Sequence, residues 1–388
     1  MGKLKIAVYQ NLPGGGARKA IDDIVSGLKE RGHKIDVYSG ENFHPIGTIK
    51  KYGIQYLLPL NLWRYKKFCQ QLASKINKEG YDAAIITNSK IIQHPYILQF
   101  IKCPQLLISQ EIFRGAYEKN LTREIVFKRH YGGITRELVS RYSFLSNLIR
   151  KKPDLENLKK ADQLIVNSSF SKENFLFSYG VLGKVIYPGV DTNVFRPGPE
   201  EKREKHILSV GIYHPIKAHD LVIKALGLIP KGKRPLLKIK GWGDSGVAEK
   251  ELRYLEKLRD SLGLEKEVTF VKSFLEDNIV DYYQKAYLTI ATHFLEPYGY
   301  SPLESMACGT PVIAVKEGGF RETVKDGETG LLVERDPKEL AEAISYLIEN
   351  KEIWKKFSEN GPKWVKANFS LEQTITKIEK ELLNLINI

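Results

Sequence analysis

Two carboxylates eight positions apart, Glu296 and Glu304, stand in the run from Phe294 to Gly319, Phe-Leu-Glu-Pro-Tyr-Gly-Tyr-Ser-Pro-Leu-Glu-Ser-Met-Ala-Cys-Gly-Thr-Pro-Val-Ile-Ala-Val-Lys-Glu-Gly-Gly. Glu296 follows a strand-like run and precedes Pro297, which disfavours a helical residue before it, so it belongs to a loop. Ser301, Pro302 and Glu304 have the spacing of a helix start: a cap, a first-turn proline and an acid three residues after the cap. On its own that pattern predicts a capping box. Its surroundings add chemistry: Gly299 lets backbone come close to a ligand, and the amides of Tyr298, Tyr300 and Ser301 lie where a helix N-terminus offers free N–H groups. A second helix entry, Glu317-Gly318-Gly319, follows the next strand. The stretch is suited to a polar, anionic ligand.

Elements must hold these groups in place. Short Ile-, Val- and Tyr-rich runs alternate with longer amphipathic segments. The expected strands are Lys5–Tyr9, Ile35–Ser39, Ala83–Thr87, Gln105–Ser109, Gln163–Asn167 and Lys184–Tyr187, then His206–Val210, Leu236–Lys240, Val268–Val271, Leu288–Ala291, Pro311–Val315 and Gly330–Val333. Strands separated by helical patterns predict parallel sheets, and two such series predict two doubly wound α/β domains. The Pro- and Gly-rich, then charged, segment Pro188–Lys205 reads as the linker. The expected domains are 1–195 and 196–369, and Ile375, Ile378, Leu382 and Leu383 give the stretch after Ser370 a helical spacing.

Other candidates follow predicted strands. Gly15 and Gly16 form a glycine loop ahead of a helix, where amides can face a phosphate. Gln110 and Glu111 stand at the end of a strand, where open sheets place their ligands. Lys217 comes seven residues after Val210, and Gly241 and Lys272 close the next two strands. Cys69, Cys103 and Cys308 are scattered and odd in number, which fits neither a disulfide framework nor a metal site and points to a reducing compartment. Met1-Gly2-Lys3-Leu4-Lys5 leads directly into a strand, and no apolar run approaches the ~18 residues of a spanning helix. A cytoplasmic protein is expected. Residues 1–185 hold 30 Lys+Arg against 15 Asp+Glu, and residues 186–388 hold 30 against 31, so the basic excess belongs to the first half. Two basic-aromatic stretches, Leu62–Phe68 and Arg114–Lys152, could lie on an anionic membrane surface or fill a core. The basic residues are dispersed and match no nucleic-acid motif, so nucleic acid is not an expected partner.

The Glu-x7-Glu run resembles the signature of the retaining glycosyltransferases of family 4. The resemblance implies the GT-B fold: two Rossmann-like domains facing each other across a cleft, with a last helix, 370–388, crossing back to the first. It also implies site roles. Glu304 holds the ribose diol, Lys217 neutralises the diphosphate, Glu296 meets the transferred sugar, and Gly15 and Gly16 face the sugar and diphosphate. Gly241 and Lys272 mark the turns that shape the nucleotide site. Two positions depart from the pattern: Gln110 replaces a histidine, and Ile212 replaces an arginine, for which His214 and Arg18 are candidate substitutes.

The implied reaction moves a sugar, with retention, from a nucleotide diphosphate sugar that is substrate rather than cofactor, and requires no metal. The basic first half favours a lipid-linked or membrane-associated glycan acceptor, with the protein peripheral on the inner face of a membrane. The alternatives are a soluble sugar or sugar phosphate acceptor, a nucleotide-sugar epimerase, or a non-catalytic nucleotide-sugar binder of the same fold.

Overall fold

The central apolar runs form strands buried on both faces, which is why they read as continuous hydrophobic segments rather than alternating ones. The computed structural model describes residues 2–49, 54–55, 58–118, 129, 133–199, 203–243, 246–272 and 278–386 of the 388-residue chain. It divides into two units, one of Met1–Phe127, Tyr131–Gly189 and Leu371–Ile388, the other of Lys128–His130 and Val190–Ser370.

In the first unit, β1 (Lys5–Asn11), β2 (Lys34–Ser39), β3 (Ala83–Ser89), β4 (Gln105–Ser109), β5 (Gln163–Val166) and β6 (Lys184–Val185) form one sheet, ordered β2-β1-β3-β4-β5-β6. All pairings are parallel, with Ile6 opposite Ile35 on one side and Ala83 on the other. Around it lie α1 (Gly16–Glu30), α2 (Leu58–Lys78), α3 (Gly133–Leu158) and α4 (Ser169–Tyr179). Helix α1 buries Ala20, Ile21, Ile24, Val25 and Leu28, the three-to-four spacing of one apolar face.

The second unit repeats the plan. Strands β7 (His206–Val210), β8 (Leu236–Gly241), β9 (Val268–Lys272), β10 (Leu288–Ala291), β11 (Val312–Val315) and β12 (Gly330–Val333) are parallel and ordered β9-β8-β7-β10-β11-β12. Its helices include α5 (His219–Leu228), α6 (Gly246–Ser261), α7 (Tyr300–Ala307), α8 (Pro337–Glu349) and α9 (Lys351–Asn368). The strand order reverses between β7 and β10, and that switch point opens a ligand crevice at the strands' C-terminal ends.

The last helix, α10 (Leu371–Ile386), packs in the first unit, burying Ile375, Ile378 and Leu382. Gly27 of α1 makes room for it, since a Cβ there would lie 2.0 Å from Ile375 Cδ1. Polar contacts fix its register: His33 Nε2 donates to Glu379 at 2.9 Å, Lys184 pairs with Glu381 at 2.7 Å, and Arg31 reaches Glu372 and Glu379.

The two basic-aromatic stretches differ in fate. In α2, Tyr65 and Cys69 are core while Trp63 is exposed. In α3, Leu138, Phe144, Leu145, Leu148 and Ile149 are exposed, alongside the exposed cations Arg141, Lys151 and Lys152. Arg123, Phe127, Lys128 and Tyr131 lie outside the described residues, as does the Arg136 side chain. Arg129 is not part of a lipid-facing array: it pairs with Asp220 at 3.0 Å and with the buried Glu251 at 2.7 Å. No described helix is long and apolar enough to cross a membrane.

Candidate functional site

The switch point of the second unit assembles the sequence's strongest candidates. After β7, Gly211 keeps the space beside Lys217 and His293 open, since a Cβ there would lie 3.2 Å from Lys217 Cγ and 3.4 Å from His293 Nε2. A short turn, Pro215–Lys217, carries Lys217, with the His214 ring accepting from the Ile216 N–H at 3.3 Å. That bond engages one of the two ring nitrogens of His214. Arg18 pairs with Asp22 and Glu41 in the first unit.

The turn is tied to the Glu296 loop. Thr292 Oγ1 donates to the carbonyls of Lys217 and Ala218 at 3.1 and 3.0 Å, and Phe294 N–H donates to the Ile216 carbonyl at 2.9 Å. These bonds bring Lys217 Nζ to 3.2 Å from Glu296 Oε2, with both side chains partly exposed. His293, absent from the sequence candidates, completes a triangle: its Nδ1 is 2.9 Å from Glu296 Oε2 and 3.2 Å from Lys217 Nζ. Burial and the Lys217 ammonium hold its imidazole below the ordinary range, against the opposite pull of Glu296.

The loop itself is bent by Leu295, which has φ 42°, and is cradled by the two glycines of the next helix entry. A Cβ on Gly318 would lie 2.3 Å from the Glu296 carbonyl oxygen, and one on Gly319 2.6 Å from that of Pro297. Gly319 N–H donates to the Glu296 carbonyl at 2.8 Å. Arg335, a second residue missed in sequence, clamps this arrangement. Its guanidinium grips Glu317 through two bonds of 2.7 Å, donates to the Thr292 and His293 carbonyls at 2.7 and 3.0 Å, and lies 3.7 Å from the Phe294 ring centre.

The capping box expected at Ser301 does not form. Helix α7 begins at Tyr300 after Gly299, whose φ of 101° turns the chain under Phe320; a Cβ there would lie 2.6 Å from that ring. Ser301 is inside the first turn, and Glu304 Oε2 instead accepts from the buried Tyr283 hydroxyl at 3.0 Å. Burial, then the Glu304 charge, push the Tyr283 phenol far above its ordinary value, so it remains a donor. Tyr298 is 2% exposed, so its ring belongs to the core beneath the loop. Gly241 ends β8 against the Tyr213 ring, 2.6 Å from where its Cβ would be, and Lys272 is exposed at the end of β9. Ser273, Phe274 and Asp244, which follow these strands, lie outside the described residues.

In the first unit, Gly15 has φ 136° and Gly16 opens α1, so the glycine loop forms without a side-chain cap. Gln110 is anchored there: its Nε2 donates to the Ala17 carbonyl at 3.1 Å, and its N–H to Asn88 Oδ1 at 2.9 Å. Behind it lies a buried chain of polar groups. Asn88 donates to Ser109 Oγ at 2.7 Å, Ser109 Oγ is 3.3 Å from His94 Nε2, and His94 Nδ1 is 3.0 Å from Asp154. His94 thus links a serine and an acid. All three of Ser109, His94 and Asp154 are 0% exposed, so this serine–histidine–acid order supports the Gln110 loop and meets no substrate. His219 likewise has a serine partner, Ser209 Oγ at 2.9 Å, while His130 lies outside the described residues.

Two parallel doubly wound units with a last helix returned to the first define the class: this is the GT-B glycosyltransferase fold. Residues 190–364, which lie in the second unit, match the family model described as "Glycosyl transferases group 1". Among curated relatives, the chain is 33% identical over 206 residues to D-inositol 3-phosphate glycosyltransferase of Acidothermus cellulolyticus, covering 49% of this chain and 46% of that protein. It is 31% identical over 217 residues to D-inositol 3-phosphate glycosyltransferase 2 of Catenulispora acidiphila, covering 52% and 51%. The aligned part thus spans about half the length of the curated relatives it matches. Among solved structures, sucrose-phosphate synthase from Thermosynechococcus elongatus superposes with TM-score 0.77 at 22% identity, over 99% of this chain and 100% of that one. Anabaena HepE in complex with UDP and glucose superposes with TM-score 0.69 at 20% identity, over 98% and 99%.

Proposed function

We propose that the protein transfers a sugar from a nucleotide diphosphate sugar to a soluble sugar or polyol phosphate, with retention at the anomeric carbon. The observation that carries this reading is the meeting of Lys217 and Glu296 at the switch point, 3.2 Å apart, on the unit whose sequence matches the group 1 domain. Lys217 is assigned to the diphosphate, Glu304 to the ribose diol and Glu296 to the sugar hydroxyls. Amides of Tyr298 to Ser301 and of Gly318 to Phe320 supply further donors, and Gly241 and Lys272 border the nucleotide. Fixed donors of this kind stabilise charge on a leaving diphosphate as the glycosidic bond breaks, and the proposal includes no metal. The first unit's share is assigned to Gly15, Gly16 and Gln110. The acceptor class follows the relatives, which are named for inositol 3-phosphate.

Calorimetric titration of the protein against uridine, guanosine and adenosine diphosphate sugars tests the donor assignment. Selective binding that Glu304→Ala weakens at least tenfold supports it, and silence toward the whole panel overturns it. Turnover with polyol phosphates, lost in Glu296→Ala while the donor still binds, separates a transferase from a binding protein; conversion of the sugar to its epimer without any acceptor, as opposed to hydrolysis to the unchanged sugar, would identify an epimerase.

A second reading retains a lipid-linked acceptor at an anionic membrane surface. It rests on the exposed Leu138, Phe144, Leu145, Leu148 and Ile149 of α3 beside Arg141, Lys151 and Lys152. Low-salt sedimentation with phosphatidylglycerol vesicles tests it, and a protein that stays in the supernatant excludes it.

A further inference from the structure

His293 stands where β10 gives way to the Glu296 loop, and it is 7% exposed. Its two ring nitrogens both face acceptors: Nδ1 is 2.9 Å from Glu296 Oε2, and Nε2 is 3.2 Å from the Val210 carbonyl oxygen. A neutral imidazole has one N–H to offer. Placed on Nε2, that proton serves Val210 and leaves Nδ1 facing the carboxylate with a lone pair. Placed on Nδ1, it serves Glu296 and leaves the carbonyl facing a bare nitrogen. The conflict is eased by Lys217, whose Nζ is 3.2 Å from both Nδ1 and Oε2 and can donate to each.

We propose that Lys217 and His293 are alternative donors to Glu296. When a diphosphate draws the Lys217 ammonium away, His293 takes a proton from solvent on Nδ1, donates it to the carboxylate, and holds Glu296 in place for the sugar. His293 is therefore a positioning residue, and donor binding is coupled to proton uptake. This inference rests on the assignment of Lys217 to the donor diphosphate.

The groups facing the ring set the sign. Lys217 comes from the turn after β7, Glu296 from the loop itself, and His219 from the start of α5. Arg335 binds the His293 carbonyl and is neutralised by Glu317. The Phe320 ring covers the imidazole at 5.8 Å between centres. His219 is held down to about 3, first by burial and then by His293, so it stays neutral across the working range. Replacing the neighbouring cation by an anion favours the imidazolium, so affinity for the donor rises as pH falls.

The test titrates the full chain with UDP-glucose, GDP-mannose and ADP-glucose at pH 7, in two buffers of different ionisation enthalpy. Nucleotide sugars are phosphate diesters and carry no phosphate proton that titrates near neutral pH, so a buffer-dependent heat reports the protein. The expected result is uptake of up to about one proton per donor bound, with a Kd up to about a hundredfold tighter at pH 6 than at pH 8. Both effects vanish in His293→Gln and His293→Asn, which keep an amide donor, while kcat falls more than donor affinity. Buffer-independent heats in the parent protein, or uptake that persists in both variants, overturn the inference. If no nucleotide sugar binds, the donor-site reading falls first and this inference falls with it.

Discussion

Glu304 shows how a residue can keep its place in a motif while its local role changes. It is oriented by Tyr283, not by a cap on its own helix, and the bond is a buried hydroxyl donating to a carboxylate at 3.0 Å. Hydrogen bonds to charged groups are worth ~1.5–3 kcal/mol. Tyr283→Phe should therefore weaken donor binding roughly tenfold while leaving the fold intact, measurable by calorimetry beside a melting curve. Lys217→Met removes a charge-assisted contact and is expected to weaken donor binding by about ten- to a hundredfold, with a flatter salt dependence. The tyrosine could not be read as a partner from sequence, because it lies 21 positions before Glu304 on another element. His293 had a visible signal, its spacing of three residues before Glu296 directly after a strand.

At the scale of elements, the loop between β10 and α7 is held from outside by the β11 exit and the start of α8. Arg335 satisfies two carbonyls at the end of β10 and grips Glu317 with its fork, a geometry that lysine cannot reproduce. Arg335→Lys and Arg335→Ala should both lower kcat, with nucleotide affinity changing less than threefold; steady-state kinetics with calorimetry checks this. Gly319→Ala would drive a methyl into the Pro297 carbonyl and the Tyr298 backbone, at about 1–3 kcal/mol of stability, read as a shifted urea midpoint. All twelve expected strands are present, the central ones because each is an apolar run buried within a parallel sheet, while Lys184–Tyr187 shortens to Lys184–Val185, an exposed and a half-buried residue at the sheet edge. The start of α7 was misread for the opposite reason: it is decided by the φ of Gly299 under Phe320, a contact across the fold, and not by the adjacent Ser-x-x-Glu spacing.

For the whole molecule, the returning helix α10 is the feature that ties stability to pH. Burial alone would raise the Glu379 carboxyl, but hydrogen bonds from His33 and Arg31 outweigh it and hold it below the ordinary range. A depressed carboxyl contributes stability above its unfolded pKa of about 4.3, and that contribution is lost as pH falls through the folded value. Urea unfolding between pH 7 and pH 3 should show this loss, and Glu379→Gln should remove part of the slope. Gly27→Ala tests the same contact by volume: its methyl collides with Ile375, and the first unit's transition should move to lower urea by about 1–3 kcal/mol.

The same helix sets an order of events during synthesis. Between Gly189 and Leu371 the ribosome must make the entire second unit, roughly 180 residues, which at about 5–20 residues per second takes on the order of ten to forty seconds. For that interval the apolar face of α1 has no Ile375, Ile378 or Leu382 to cover it. The unit translated first is thus finished last, and a nascent chain stalled before residue 371 presents a greasy surface that invites chaperones.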